Sequence, residues 1–225
     1  MIESPGVILS FDDRFVEQWV NARWIFEKHN ARATFFISEF DKLSEDEIDK
    51  LLILQNDGHC IGSHGLRHRD AVKAIETLGA SRYVKEEIMP AIKLMRQAGI
   101  NDPESCFAYP VSSRTEQTDE LLLKFFRNLR TGVFGRDLKN VLMPLKSLKS
   151  LHCLKSVGID DNGGLSCEQI FSLIDKLVPE DSIIVFYAHS IQDYSDANHI
   201  SPEKLDKVLS YIVSCNLPFY TFADL

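Results

Sequence analysis

Short apolar runs alternate with longer helical patterns along the whole chain. That alternation constrains the fold more than any other feature. Residues 7–11, 33–37, 59–62, 106–109, 127–131, 182–188 and 219–222 read as strands. Residues 16–29, 44–56, 81–98, 118–126, 166–177 and 201–214 carry helical spacing. Ser44 and Glu47 make a capping box, Ser201-Pro202 opens the last helix, and Pro90 marks a kink or the start of a new segment inside 81–98. Trp19, Val20, Arg23, Trp24 and Phe26 are expected on or near the inner face of the first helix, with both tryptophans in the core. Strands separated by helices predict βα units and a parallel sheet. About seven such units predict an α/β protein with a closed or nearly closed barrel, whose chemistry gathers at the carboxyl ends of the strands.

Composition narrows the partners. The 225 residues hold no repeat, low-complexity tract or Pro/Ser-rich linker, so a single domain over 1–225 is expected. Twenty-five Lys and Arg stand against 33 Asp and Glu, a net charge of -8. That excludes a general nucleic-acid binder, which needs a basic face. No apolar run approaches the ~18 residues of a membrane span, so no membrane insertion is expected. Five cysteines (Cys60, Cys106, Cys153, Cys167, Cys215) are odd in number and none is spaced C-x-x-C. They read as small buried hydrophobes rather than as a zinc ribbon or a redox motif. The locally basic stretch 136–155, with Lys139, Lys146, Lys149 and Lys155, reads as a solvated face.

Polar residues follow the strands where a barrel would put its site. Asp12 and Asp13 follow the first strand, Ser63 and His64 the third, Pro110 the fourth, and His189 a late, very apolar strand. His64 and His68 are four apart, so one helical turn would bring both imidazoles to one side. Two imidazoles and one carboxylate suit a divalent ion, zinc foremost, with positions left open. One aspartate of the adjacent pair can bind the metal while the other stays free as a base. His189 suits the role of a proton donor near neutral pH.

These residues resemble the polysaccharide deacetylases, the NodB-homology or carbohydrate esterase family 4 enzymes. Ser10-Phe11-Asp12-Asp13-Arg14 is similar to the family's T-F-D-D-G, and His64-Gly65-Leu66-Arg67-His68 to its H-[ST]-x-x-H. Phe107-Ala108-Tyr109-Pro110 resembles a variant of its third motif, and Val185-Phe186-Tyr187-Ala188-His189 its closing [IV]-x-L-x-H. Ala33-Thr34-Phe35-Phe36 and Asn56-Asp57-Gly58-His59 add to the match, which runs through most of residues 7–225. The resemblance implies a distorted (β/α)7 barrel and removal of acetyl groups from N-acetylated carbohydrate. It implies Asp12 as general base, and Asp13, His64 and His68 as ligands of a divalent metal, zinc foremost. It implies His189 as general acid and the Val111 N–H as an oxyanion donor. Tyr187 stands in place of the Leu near the acetyl methyl. Loop aromatics such as Tyr109 and Tyr194 could stack on sugar rings.

The sequence departs from that pattern at several points. Arg14 replaces Gly and Ser10 replaces Thr in the first motif, and Ser112 stands where Gly is frequent. Ala108 occupies the place of an arginine that would pair with the catalytic aspartate. Arg130, near the end of the next strand, is the expected substitute. The D-x-x-D-W motif has no clear match, and Asp160 and Asp161 are candidates to orient His189. Two other readings remain beside the leading one: an O-acetyl esterase or other amide hydrolase, and a catalytically weak carbohydrate-binding homologue. Oligomeric state and compartment are left open. Members of this family often act outside the cytoplasm behind a leader, which would sit upstream of these residues.

Overall fold

The computed structural model describes residues 2–133, 138 and 140–225. Lys139 of the basic stretch lies outside the described residues. Seven parallel strands form the frame: β1 (Gly6–Asp13), β2 (Thr34–Ile37), β3 (Cys60–Ser63), β4 (Cys106–Ala108), β5 (Asn128–Val133), β6 (Cys153–Gly158) and β7 (Ser182–Ala188). They pair in chain order, and β7 pairs back onto β1 from Gly6↔Ile183 to Phe11↔Ala188, so the sheet closes into a barrel. The closure is uneven. β3 and β4 share the single registered pair Ser63↔Phe107. One edge of β1 is divided: Phe219–Tyr220 pairs with Val7 and Ile8 at the foot, and β2 pairs with Ser10 to Asp13 above.

The period of two along each strand separates two cores. Val7, Leu9 and Phe11 of β1 face outward with Phe35 and Phe186, under Trp19, Phe26 and Leu51 of the helices. Ile8 faces inward with Phe36, Leu154, Ile183, Val185 and Phe222, and fills the foot of the barrel. Each such side chain, fully buried, stabilises the fold by ~1.5–3 kcal/mol. Higher on the inner face the residues turn polar: Ser10, Asp12, Arg130 and Ser156 are all buried. No helix among the described residues is long and apolar enough to cross a membrane.

Several sequence expectations need correction. The helix over 16–29 is two helices, Val16–Asn21 and Arg23–His29, broken at Ala22. Trp19 is buried as expected, but Trp24 is 52% exposed. The break at Ala22 starts a second helix, in which Ile25 and Phe26 take the inner positions and Trp24 does not. β6 was not anticipated, because Lys155 and Ser156 interrupt its apolar run. Its Leu154 and Ser156 are nonetheless buried, as the closed barrel requires. The helix Ala71–Leu78, capped by Asp70, was also missed. The segment 81–98 is not one helix. A short turn Ala80–Tyr83 passes through a π-helical turn Val84–Ile88 into the helix Met89–Gln97, with Pro90 at its head. The capping box at Ser44 and the cap at Ser201 are present. The cysteines are free; Cys60 and Cys106 are buried as expected, but Cys153, Cys167 and Cys215 are only half-buried.

Candidate active site

Asp12 and Asp13 close β1, and the strand's alternation sends them to different places. Asp12 points into the barrel and is 3% exposed. Its Oδ2 accepts a hydrogen bond from Arg130 Nη2 at 2.5 Å. Ala108 and Arg130 face each other in register across β4 and β5. The guanidinium therefore comes from the strand beside the position where the sequence motif lacks it, and the small Ala108 leaves it room. Arg130 is held on several sides. Nη1 donates to Ser156 Oγ at 3.1 Å, and its guanidinium lies 5.2 Å from the Phe36 ring centre and 4.9 Å from that of Tyr187. Removing either partner of such a buried pair leaves an uncompensated charge, at a cost of ~3–5 kcal/mol. Asp12 Oδ1 is buried and has no hydrogen-bond partner among the described residues.

Asp13 sits at the strand end with φ 82 and turns toward two histidines. Its Oδ1 lies 3.5 Å from His64 Nε2 and 3.3 Å from His68 Nε2. One ligand atom from each of the three residues falls within 4.8 Å of the others. The spacing of the histidines is not realised by a helical turn. Residues 64–68 are a loop after β3, bent by Gly65 (φ 80) and His68 (φ 52), and it is the loop that brings the rings to 4.8 Å. His64 Nδ1 is 2.8 Å from the Ala108 carbonyl. Nδ1 must donate there, which leaves the Nε2 lone pair facing Asp13. Burial pushes His64 down to about 4, so the ring is neutral at pH 7. Burial opposes the ionised form of Asp13 as well. The hydrogen bond to His68 and, in the acid range where the carboxyl titrates, the positive charges of His64, His189 and His68 outweigh it and hold the carboxyl at about 2. An ionised carboxylate and a neutral, oriented imidazole are the donor set a divalent cation needs, so these residues fit one.

His189 follows β7 on the same rim. Asp160, just past β6, holds both its ring and its backbone: Oδ2 is 2.7 Å from Nδ1, and Oδ1 accepts the His189 N–H at 3.0 Å. Trp19 Nε1 donates to the His189 carbonyl at 2.8 Å. Burial works against the imidazolium, but the Asp160 hydrogen bond and the charges of Asp12, Asp160 and Asp13 outweigh it, and the pKa is raised. Asp161 is used elsewhere, accepting from the Ser201 N–H at 2.7 Å and pairing with Lys204.

Val111 follows Pro110 in the loop after β4, three residues beyond the carbonyl that holds His64. It and Ser112 adopt left-handed φ of 50 and 54. For a β-branched residue that conformation is strained. The loop is tied to β5 at Ser112, whose Oγ accepts the Gly132 N–H at 2.9 Å and whose carbonyl accepts Thr131 Oγ1 at 3.1 Å. The Val111 N–H makes no backbone hydrogen bond among the described residues.

The sequence profile of polysaccharide deacetylases matches residues 3–125, more than half of the chain. The chain belongs to the polysaccharide deacetylase family. Solved structures with the same fold include the chitin deacetylase from the fungal pathogen Colletotrichum lindemuthianum. It is 17% identical with a TM-score of 0.67, over 98% of this chain and 87% of that one. The family 4 carbohydrate esterase from Streptomyces lividans in complex with acetate is 14% identical with a TM-score of 0.60, over 96% and 93%. A mutant of a family 4 pseudoenzyme with restored enzymatic activity is 14% identical with a TM-score of 0.62, over 99% and 68%. No curated protein matches the sequence.

Within this deacetylase fold, Asp12 and Asp13 close β1, His64 and His68 lie on the loop after β3 and His189 follows β7, while Arg130 reaches them from the middle of β5 rather than from its end. Val111 is on the loop beside them. Tyr187 spreads under the site against Gly132 and Gly158, where a Cβ would come within 3.2 Å of its ring or hydroxyl. Tyr109 is 1% exposed and donates to Asp119 Oδ1 at 2.8 Å, so it is a core residue and offers no sugar platform. Tyr194 is 77% exposed. Sequence reasoning missed Ser156 as a partner of Arg130. The only signal for it was a polar residue in an unrecognised strand.

Proposed function

We propose that residues 1–225 form one catalytic domain, a divalent-metal-dependent hydrolase that removes acetyl groups from N-acetylated carbohydrate, with zinc as the metal. The observation that carries this reading is the convergence on one rim of the Asp12–Arg130 pair, the Asp13, His64, His68 set and the Asp160-held His189. When bound, a divalent cation at Asp13, His64 and His68 supplies Lewis acidity toward a carbonyl and a water.

The chain's own groups account for the proton movements. Asp12 Oδ1, free of other partners, takes a proton from the attacking water. Arg130 holds the other oxygen and fixes the carboxylate's orientation. The Val111 N–H donates to the oxygen on which negative charge develops. His189 gives its proton to the departing nitrogen as the carbon–nitrogen bond breaks. Asp160 keeps the ring aligned and favours its charged form before transfer. Water's oxygen ends on the acyl carbon, and acetate and a free amine leave. The same groups would act on an O-acetyl ester, because they address the carbonyl rather than the sugar.

Acetate release from chitooligosaccharides, measured beside acetylated xylan with zinc supplied, tests the reading. Release from the chitooligosaccharides with one zinc bound per chain is expected. Release from xylan alone would move the protein to the esterases. Oligosaccharide binding with no acetate from either substrate at saturating metal would make it a binding homologue.

A further inference from the structure

Glu87 is a fully buried carboxylate with no part in the proton movements above. It sits in the π-helical turn Val84–Ile88, outside the set of metal ligands. The cause of that turn is in the sequence. Pro90 has no N–H and its ring clashes with the carbonyl four residues earlier, so an ordinary helix cannot run through Glu86. The freed Glu86 carbonyl accepts Arg67 Nη1 at 3.2 Å, which already ties the turn to the loop carrying the histidines. The wider turn carries Glu87 into the same loop. Its Oε1 accepts the Arg67 N–H at 2.8 Å and the Arg69 N–H at 3.3 Å.

Those two N–H groups flank His68, the residue held at left-handed φ. One carboxylate oxygen therefore grips the backbone on both sides of a ligand. Oε2 has no hydrogen-bond partner among the described residues and lies 3.7 Å from Arg69 Nε. Gly65, at φ 80, completes the fit: a Cβ there would come within 2.7 Å of Glu87 Oε1 and would push the carboxylate aside.

We propose that Glu87 is the positioning residue of the metal site, fixing His68 against Asp13 and His64 through the loop backbone rather than by touching metal or substrate. The proposal rests on the metal-dependent reading above. Geometry rather than charge is the operative property, and two conservative variants separate them. Glu87→Gln keeps an oxygen at the same reach, able to accept the same two N–H groups. Glu87→Asp keeps the charge but is one methylene too short.

Zinc affinity is read by chelator competition, and ligand geometry by the visible spectrum of the cobalt(II)-loaded protein. E87Q is expected to bind zinc close to wild type with an unchanged cobalt spectrum. E87D is expected to bind ~10–100-fold more weakly, the range found when groups supporting a metal ligand are lost, with shifted cobalt bands. The cobalt bands separate this from a general packing role, which would lower the denaturant midpoint of the metal-free protein without shifting them. Should E87D fail to fold, E87A carries the test, since it admits water to the two N–H groups, with the same weakening expected. Wild-type zinc affinity and cobalt spectrum in the short or truncated variant would overturn the proposal. Absence of zinc binding by the wild type would instead sink the reading beneath it.

Discussion

Strand β3 has a histidine at each end. His59 precedes it at the foot of the barrel and His64 follows it at the mouth. Burial lowers both imidazoles to about 4, so both are neutral at pH 7. Their neighbours differ. His59 Nδ1 accepts the Ala33 N–H at 3.0 Å, and its ring meets Phe26 and Phe35 edge-on at 5.1 and 5.3 Å. His64 Nδ1 donates to a carbonyl, and its Nε2 faces a carboxylate and a second imidazole. One ring is spent inside the fold, and the other keeps a lone pair available. Burial dominates both titrations; the second nitrogen's surroundings decide whether the ring is used up inside the fold or keeps a lone pair free. The same division runs through the barrel interior, apolar at the foot and polar at the mouth.

Substitutions at the mouth should abolish function at the greatest margin. Asp13→Ala is expected to lose zinc, read by metal analysis, and to release acetate only at background rate. Asp12→Asn should keep zinc while turnover falls ~10²–10⁴-fold, the usual worth of a general base. Zinc loss in D12N would mean that the two aspartates do not divide their roles as their directions suggest.

A cut at the foot should do the reverse. Leu154→Ala empties part of the inner core, and urea unfolding should show a loss of ~2–5 kcal/mol. Zinc affinity and turnover at low temperature should stay near wild type. A parallel fall in zinc affinity would show that the two ends are not separable.

His59 offers a pH test of the same contrast. The unfolded chain takes up this proton near pH 6.5, the folded chain only near 4. Its contribution to stability is therefore full above pH 6.5 and lost as pH falls toward 4, by about 3 kcal/mol at 1.36 kcal/mol per unit. The loss should appear as a difference between wild type and His59→Gln in denaturant melts across that range. Identical pH dependence in the two would refute the buried, neutral assignment. The smallest effect belongs to Trp24, outside both regions. Trp24→Ser should change stability by no more than ~0.5 kcal/mol.

Much of the site was legible because each part is local. Asp12 and Asp13 at a strand end, the His64 and His68 pair and His189 after an apolar strand are readable within a few residues each. Asp160 and Arg130 were identifiable only as candidates, because their partners lie 29 and 118 residues away. The loop geometry of residues 64–68 was misread as a helical turn, since a spacing of four is the same in both. Glu87 gave no signal, because its partners are backbone N–H groups, which every sequence supplies equally.

The sequence by itself determined the alternation that makes a barrel, the caps at Ser44 and Ser201, the family and the candidate site residues after β1, β3 and β7, all through short-range pattern. Only the tertiary structure decided which arginine meets Asp12, that β6 is a strand and that Trp24 lies outside. It also decided that Glu87 grips the histidine loop. Those outcomes depend on barrel closure and strand register, which bring residues together across the fold, and no local pattern encodes that distance.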